Sequence, residues 1–402
     1  MNLLHFTSCL VLPIHTLANI EKNSPACTTD EHCNLNGLCH HDACICDPGW
    51  KSSDCGALDL IPAPLKNGYN KTATGTSSWG SNIIHRTPDS RIFDLFLAEF
   101  THDCGLDYWS PYSRIVHAMS SAGPAGPYKF AAEVVGTFAH NPTVVYSPMD
   151  RKYLMYYIGC PYTVPNTCVP PNFTCGPGNT VNGESGISVS SSADLETWTS
   201  HGQILLGTDD GAWDADVTNP SPLPLYSSDY PTGEIALAYR GCPYNCSGAE
   251  LINLATAENF LGPYRKVQKD PLFENPNEDP FFWRDKRGNF HMLLHSLEDG
   301  GGFGDGPKVG RHAFSRTLEG PWTFNANTLA FDTTVVFEDG SSVEYFRRER
   351  PQLFFSEDGE MTPLYLTTGV QEVGKGGSYA VIQPLQGSAY YERHLYEHHL
   401  EL

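Results

Sequence analysis

A polar residue followed by proline opens an apolar run four times in this chain: HNPTVV at Pro142, TNPSPL at Pro220, EDPFFW at Pro280 and RERPQL at Pro351. A turn and a second apolar run follow each opening (YLMYYIG, EIALAYRG, FHMLLHS and TPLYLTTG). Gly-Pro-aromatic triplets recur at Gly126-Pro127-Tyr128, Gly262-Pro263-Tyr264 and Gly320-Pro321-Trp322. Ahead of the first full match, SNIIHRTPD, IFDLFLAEF and RIVHAMSS read as a fifth unit without the proline. A repeat of this length makes each unit one small sheet that is stable only against its neighbours. Four short strands in each of five units predict an all-β fold, a five-bladed β-propeller over residues 67–388. The innermost strand of a blade is a sheet edge, and proline is tolerated at the start of an edge strand. A sandwich or β-helix also supplies short strands but does not explain one proline per unit.

This topology brings the start of every first strand and every second-to-third connection to one face. The unusual connections are all of that kind: 101–113 (Cys104, Trp109), 159–185 (Cys160, Cys168, Cys175), 241–248 (Cys242, Cys246) and the glycine-rich 298–310. Enlarged, cysteine-bearing loops gathered on one face predict the working face. Cys242 and Cys246 are close enough in sequence to pair, whereas spacing assigns no partner to the other four.

Residues 1–18 carry an apolar run ending Thr16-Leu17-Ala18, which reads as a signal peptide and predicts a secreted, extracellular protein. Past Cys9, twelve cysteines remain, an even number suited to an oxidising compartment. Sequons at Asn70, Asn172 and Asn245 are expected glycan sites. Lys plus Arg is 25 and Asp plus Glu is 46, a net −21 that repels phosphate backbones, so no nucleic-acid partner is expected. After the leader no run approaches the length of a membrane helix, so no membrane insertion is expected.

Six cysteines fall within residues 27–55: Cys27, Cys33, Cys39, Cys44, Cys46 and Cys55. Their C-x5-C-x5-C-x4-C-x-C-x8-C spacing, with Gly49-Trp50 after Cys46, resembles an EGF-like module; a zinc knuckle using His32, His40 and His41 is the rival. The EGF resemblance implies bridges Cys27–Cys39, Cys33–Cys44 and Cys46–Cys55. It also implies a spacer or adhesive role, with an extracellular-matrix or cell-wall partner. A proline-bearing linker, 56–66, is expected before the propeller, and a polar tail, 389–402, after it.

The strand openings should converge on the axis, bringing together Asn82, His140, Thr218-Asn219, Glu278-Asp279 and Arg348-Glu349-Arg350. Arg240 and His295 come from second strands, Glu184 and Asp216 lie near third-strand and first-strand starts, and Trp79 and Trp213 are expected nearby. Carboxylates accept hydrogen bonds from sugar hydroxyls, and indoles stack on sugar faces. Glycosidic cleavage needs one protonated and one ionised carboxyl, which crowded carboxylates and arginines can supply. The catalytic candidates are Glu278, Asp279, Glu349, Asp216 and Glu184. The substrate-binding candidates are Trp79, Asn82, His140, Arg240, His295, Arg348 and Arg350. No metal and no cofactor is expected.

The proline-led strands, the third strands SVSSSADLETW and HAFSRTLEGPW, and the five-unit length resemble the five-bladed propeller glycoside hydrolases of families 43, 62, 32, 68 and 117. Family 43 implies an Asp base on the first blade, a tuning Asp on the third and a Glu acid on the fourth. Glu278 and Asp279 match the fourth, Asn219 with Asp216 stands on the third, and the first has Ser81-Asn82 with no Asp. The resemblance implies a glycosidase acting on an oligo- or polysaccharide. The alternatives are a non-catalytic carbohydrate- or protein-binding propeller and a polysaccharide lyase.

Overall fold

The computed structural model describes residues 26–69, 76–88, 90–169, 186–208, 211–297 and 309–397. The leader 1–18, the sequons at Asn70 and Asn172, Cys175 and the candidate Glu184 lie outside the described residues.

Five antiparallel sheets succeed one another as blades. Blade 1 comprises Ser78–His85, Phe93–Phe100, Ser113–Ser120 and Lys129–Val135; blade 2 comprises Ala139–Ser147, Lys152–Gly159, Ile187–Ser192 and Thr199–Leu205. Blade 3 is Asp216–Ser227, Tyr230–Cys242, Leu251–Ala257 and Arg265–Lys266; blade 4 is Asn277–Arg284, Phe290–Ser296, Gly310–Ser315 and Thr323–Asn325. Blade 5 has Arg347–Phe355, Pro363–Gln371 and Ser378–Pro384. The apolar cores lie between blades. Tyr156 and Ile158 pack with Leu237 and Tyr239 across blades 2 and 3, and Leu95 and Leu97 with Tyr365 and Ile382 across blades 1 and 5. Each blade therefore needs both neighbours, which is why the repeat closes into a ring.

The first strands share one irregularity. Each skips two residues in its register with the second strand, between Trp79 and Asn82, Thr218 and Ser221, Glu278 and Phe281, and Glu349 and Gln352, with a matching shift in blade 2. At the bulge Gly80, Asn141, Asn219, Asp279 and Arg350 all have φ between 52° and 59°. Asn and Asp tolerate this left-handed region, and glycine adopts it freely. At Gly80 a Cβ would also come within 3.0 Å of the Arg350 side chain. The residue after the bulge is proline in blades 2 to 5 and Ser81 in blade 1.

Two connecting segments differ from expectation. The stretch read as a linker, 56–66, and the residues that follow it to Tyr69 are bonded along the outer edge of blade 5. Ile61 N–H donates to Pro384 O at 2.9 Å, Gln386 N–H to Asp59 O at 2.8 Å and Tyr69 N–H to Ala380 O at 3.2 Å. Blade 5 has three strands of its own, so this segment covers a ladder that water would otherwise satisfy. The expected tail begins as a helix, Ser388–Glu397, whose Tyr391 packs on the blade 1–blade 5 core.

The amino-terminal module holds bridges Cys27–Cys39, Cys33–Cys44 and Cys46–Cys55, the pairs that the EGF resemblance implies. Its cysteines are thus tied to one another, which leaves no thiolate set for a zinc knuckle. It is no free spacer. Trp50 lies over Trp283 (ring centroids 6.4 Å) and His312 (5.1 Å), and Leu58 N–H donates to Ala330 O at 2.9 Å. Asp54 accepts from Thr328 at 2.8 Å, and Arg287 pairs with Asp47. Trp283 and Arg287 lie at the far end of the blade 4 first strand from Glu278, so the module occupies the face opposite the first-strand starts.

Candidate active site

One step before each bulge, a side chain from every blade enters the same cavity: Trp79, His140, Thr218, Glu278 and Glu349. The cavity measures about 300 Å³. Ile158, Arg240, Arg347 and Arg350 complete its wall, with Leu106, Asp107 and Trp109 from the blade 1 connection and Cys246 from the blade 3 connection. The loop carrying Trp109 is fixed by the Cys104–Cys168 bridge to the blade 2 connection, and Cys242 pairs with Cys246. Enlarged second-to-third connections thus form the mouth.

Below the cavity the bulge residues form a polar ring. Asn141 Nδ2 donates to Asn219 Oδ1 at 2.7 Å, and Asn219 Nδ2 to Asp279 Oδ1 at 2.6 Å. Arg350 Nη1 lies 3.1 Å from Asp279 Oδ1, and the Arg350 backbone N–H donates to Asp279 Oδ2 at 3.2 Å. Blades 2 to 5 are joined side chain to side chain, and the Arg350 side chain packs over Gly80 of blade 1. Asp279 therefore belongs to the ring that positions the cavity floor.

His295, 1% exposed, sits opposite Glu278 in the strand register and beside three carboxylates. Its Nδ1 is 3.1 Å from Glu278 Oε1 and 3.7 Å from Asp279 Oδ2, and its Nε2 is 3.8 Å from Glu349 Oε1. Neither ring nitrogen has the alignment of a hydrogen bond, so the attraction is chiefly ionic. Burial opposes a charged ring, but Glu349, Asp279 and Glu278 outweigh it and push His295 up to about 10. Burial also opposes ionisation of Glu278. Contact with His295 and the charges of Arg240 and Arg350 overcome it and hold Glu278 below the usual carboxylate range. Glu349 goes the other way, because burial and the anions Glu278 and Asp279 raise it against the opposing pull of His295 and Arg347. Two neighbouring glutamates thus have ionisations driven apart, the arrangement acid–base chemistry uses. Ligand-type atoms of Glu278, Asp279, His295 and Glu349 lie within 4.8 Å of one another. That spacing also suits a cation, for which carboxylate oxygens and an imidazole nitrogen are common ligands.

Burial and Arg350 keep His140 well below its ordinary value, so its ring is neutral, tilted against Trp109 with centroids 4.8 Å apart. His140 Nδ1, Thr218 Oγ1 and Glu349 Oε1 are buried without a hydrogen-bond partner. Such atoms cost about 1–3 kcal/mol each unless something pairs with them. Arg240 is held by Glu250 at 3.1 Å, by Glu278 at 3.9 Å and by both sulfurs of the Cys242–Cys246 bridge at 2.9 and 3.0 Å.

Of the expected site residues, Glu278, Glu349, Trp79, His140, Arg240 and Arg350 line the cavity, with His295 and Asp279 supporting them. Three lie elsewhere. Asn82 is beyond the bulge, where its Oδ1 accepts from Val144 N–H at 2.8 Å; without a proline to mark the opening, the sequence sets the blade 1 opening too late. Arg348 is fully buried, alternating to the other face of the strand, and donates to Asp332 O, Thr334 O and Gln383. Asp216 is buried with Cys242 and Cys246 within 4.8 Å and does not line the cavity. Trp213 bonds Lys269 O, away from the axis. Thr218 lines the cavity as its strand opening predicts. Trp109 and Asp107 come from the cysteine-bearing 101–113 connection, and nothing in the sequence signals Arg347.

Fold and site together define a five-bladed propeller with acidic side chains around an axial cavity. Neither a protein-family model nor a curated protein matches the chain. Among solved structures it is similar to the catalytic domain of a family 62 α-L-arabinofuranosidase of Coprinopsis cinerea, at 13% identity over 85% of this chain and 99% of that one, with TM-score 0.54. It is also similar to the Podospora anserina α-L-arabinofuranosidase solved with cellotriose (12% identity, 80% and 95% covered, TM-score 0.52). A family 117 glycoside hydrolase of the marine bacterium Zobellia galactanivorans is a third (14% identity, 82% and 89% covered, TM-score 0.51). The fold is that of the propeller glycoside hydrolases.

Proposed function

We propose that the protein is a secreted glycoside hydrolase with Glu349 as proton donor and Glu278 as the ionised carboxylate. The observation that carries this reading is a pair of buried glutamates from adjacent first strands lining one cavity with His295 beside both, surroundings that push their ionisations apart. Trp79 and Trp109 offer faces on which a sugar ring stacks, while His140, Thr218 and Glu349 offer buried polar atoms for its hydroxyls. Likeness to α-L-arabinofuranosidases makes pentose-bearing plant and algal glycans the first substrates to try. Export is supported by the leader-like residues 1–18 and the disulfides; among the described residues no helix is long and apolar enough to cross a membrane. We assign residues 27–55 as an EGF-like module whose exposed side binds a matrix or cell-wall partner.

The test is a plant and algal glycan panel read by released reducing ends, with Glu278→Gln and Glu349→Gln as controls. Turnover that both substitutions abolish supports the reading, and no turnover on any glycan overturns it. Products absorbing as unsaturated uronates would make it a lyase. One observation favours a lectin-like second reading: the first-blade and third-blade positions facing Glu278 are Trp79 and Thr218, where the family resemblance calls for carboxylates. A lectin would retain glycans on the panel without releasing ends.

A further inference from the structure

The outer strands of blades 1 and 2 part around a recess of about 810 Å³, larger than the axial cavity. Val134 and Val135 of blade 1 form one wall, and the second, third and fourth strands of blade 2 form the other. Phe138 divides the two spaces: it lines the recess, and its ring centroid lies 5.8 Å from that of Trp109, which lines the cavity. Tyr157 and Ile158 are consecutive on one strand and so face opposite ways, the first bordering the recess and the second the cavity. Recess and cavity are separate but adjacent.

Blade 2 is irregular at this point. Ile187, Ser188 and Ser190 of its third strand pair with Leu205, Gln203 and Ser200 of its outermost strand, which therefore carries an extra residue twice. Bulges bend a strand and re-aim its side chains. Gly202 lies in this stretch at φ 79°, with no heavy atom within 4 Å of where a Cβ would stand, so the rim of the recess is open.

The lining has an unusual composition. Among the described residues it holds no Asp, Glu, Lys, Arg or His, although charged residues make up 18% of the chain. Its polar groups are the hydroxyls of Thr137, Tyr157, Ser188, Ser190 and Ser200 and the amide of Gln203. Tyr157, 6% exposed, accepts from Ser190 at 3.4 Å, which leaves its own O–H to donate to a ligand oxygen. Trp198 adds an indole whose orientation is set before anything binds. Its Nε1–H donates to Leu195 O at 3.1 Å, and Phe96 meets the ring edge-on at 5.5 Å. A ring fixed in this way gives up little rotamer freedom on binding. An ionic ligand would lose hydration here and find no counter-charge, while a wholly apolar one would cover hydroxyls without pairing them. A run of neutral sugars meets both demands, setting C–H faces on the indole and hydroxyls against the serines.

We infer that this recess is a second glycan site, without catalytic groups, that binds a neutral polysaccharide and holds it beside the axial cavity. Its ligand need not be cleaved, so the site is independent of the hydrolase reading.

The experiment is bio-layer interferometry of the full chain on sensors carrying arabinoxylan, unsubstituted xylan, mixed-linkage β-glucan or polygalacturonate. At least one of the three neutral polymers should bind, and binding should persist from about 50 mM to about 500 mM salt because no charge takes part. Trp198→Ala removes the indole. Ser200→Arg, on the exposed edge strand, puts bulk and charge into the recess while sparing the core, and its unfolding midpoint should match wild type. Each substitution should raise the dissociation constant at least about tenfold. Binding that survives both places the glycan in the axial cavity and overturns the inference. Binding to polygalacturonate alone, loss of binding in salt, or no binding to any neutral polymer overturns it as well. Release of reducing ends from a short oligosaccharide confined to the axial cavity reads hydrolysis separately, so either proposal can fail while the other stands.

Discussion

Asp279 holds Arg350 twice, by its side chain at 3.1 Å and by its backbone N–H at 3.2 Å, although the two lie on different blades. Arg350 has φ 55°, a conformation a bulky residue adopts only when its surroundings impose it. The carboxylate supplies that constraint while also accepting from Asn219.

Replacing Asp279 by Asn should therefore destabilise the ring more than a surface change. It leaves a guanidinium facing a neutral amide in a buried setting, a loss on the order of 3 kcal/mol. Urea unfolding measures it. A midpoint unchanged from wild type would mean the ring contributes no net stability.

The basic limb of activity against pH should belong to Glu349, the proton donor. Burial and the neighbouring anions raise it, whereas Arg347, with a guanidinium nitrogen 3.7 Å away, opposes the rise. Arg347→Met removes that opposition, so the limb should move to higher pH. A limb that stays in place or moves down would show that another group supplies the proton.

The propeller was legible because proline and apolar runs mark each unit, and those marks are local in sequence. The cavity was legible in part. Glu278 and Glu349 stood out because each adjoins an opening proline by one intervening residue, whereas blade 1, with Ser81 in place of proline, was read out of register. That shift promoted Asn82. Arg348 failed for a different reason: strand alternation sends it to the opposite face from Glu349, and only the position of the bulge fixes which face is which. The roles of residues 59–69 and of the docked module depend on contacts hundreds of residues away. No periodicity announces them.

Stability should fall on the alkaline side because of His295. Its folded value is raised to about 10, against 6.5 for an ordinary imidazole. The folded state binds that proton more tightly, so this stabilisation is fully present below 6.5 and is lost as pH rises toward 10. The raised value of Glu349 acts in the same sense, favouring the folded state as pH falls. Thermal unfolding from pH 6 to 10 should show a declining midpoint in wild type and a flatter one in His295→Gln. Equal slopes would mean His295 is neutral when folded.

Acid should loosen the amino-terminal module. His312 lies under Trp50, with Nε2 3.1 Å from His291 Nδ1 and Nδ1 3.5 Å from Asn36 Nδ2; His291 in turn faces Asp285 at 3.3 Å. Burial and His291 keep His312 well below its ordinary value, so the docked state holds a neutral ring. Once undocked, the ring regains water and takes up a proton near 6.5, so acid favours the undocked state. Docking should therefore weaken as pH falls below 6.5, the reverse of the His295 effect. Arg287–Asp47 and Arg316–Glu31, partly exposed pairs across the same interface, add little to oppose this. Limited proteolysis within residues 56–66, between the module and blade 1, should accelerate from pH 7 to 5 in wild type, and Trp50 fluorescence should shift with it. His312→Phe retains an aromatic ring under Trp50 but cannot titrate, so its cleavage rate should not respond to pH. Acid-accelerated cleavage that persists in His312→Phe would assign the effect to another group, such as Asp285.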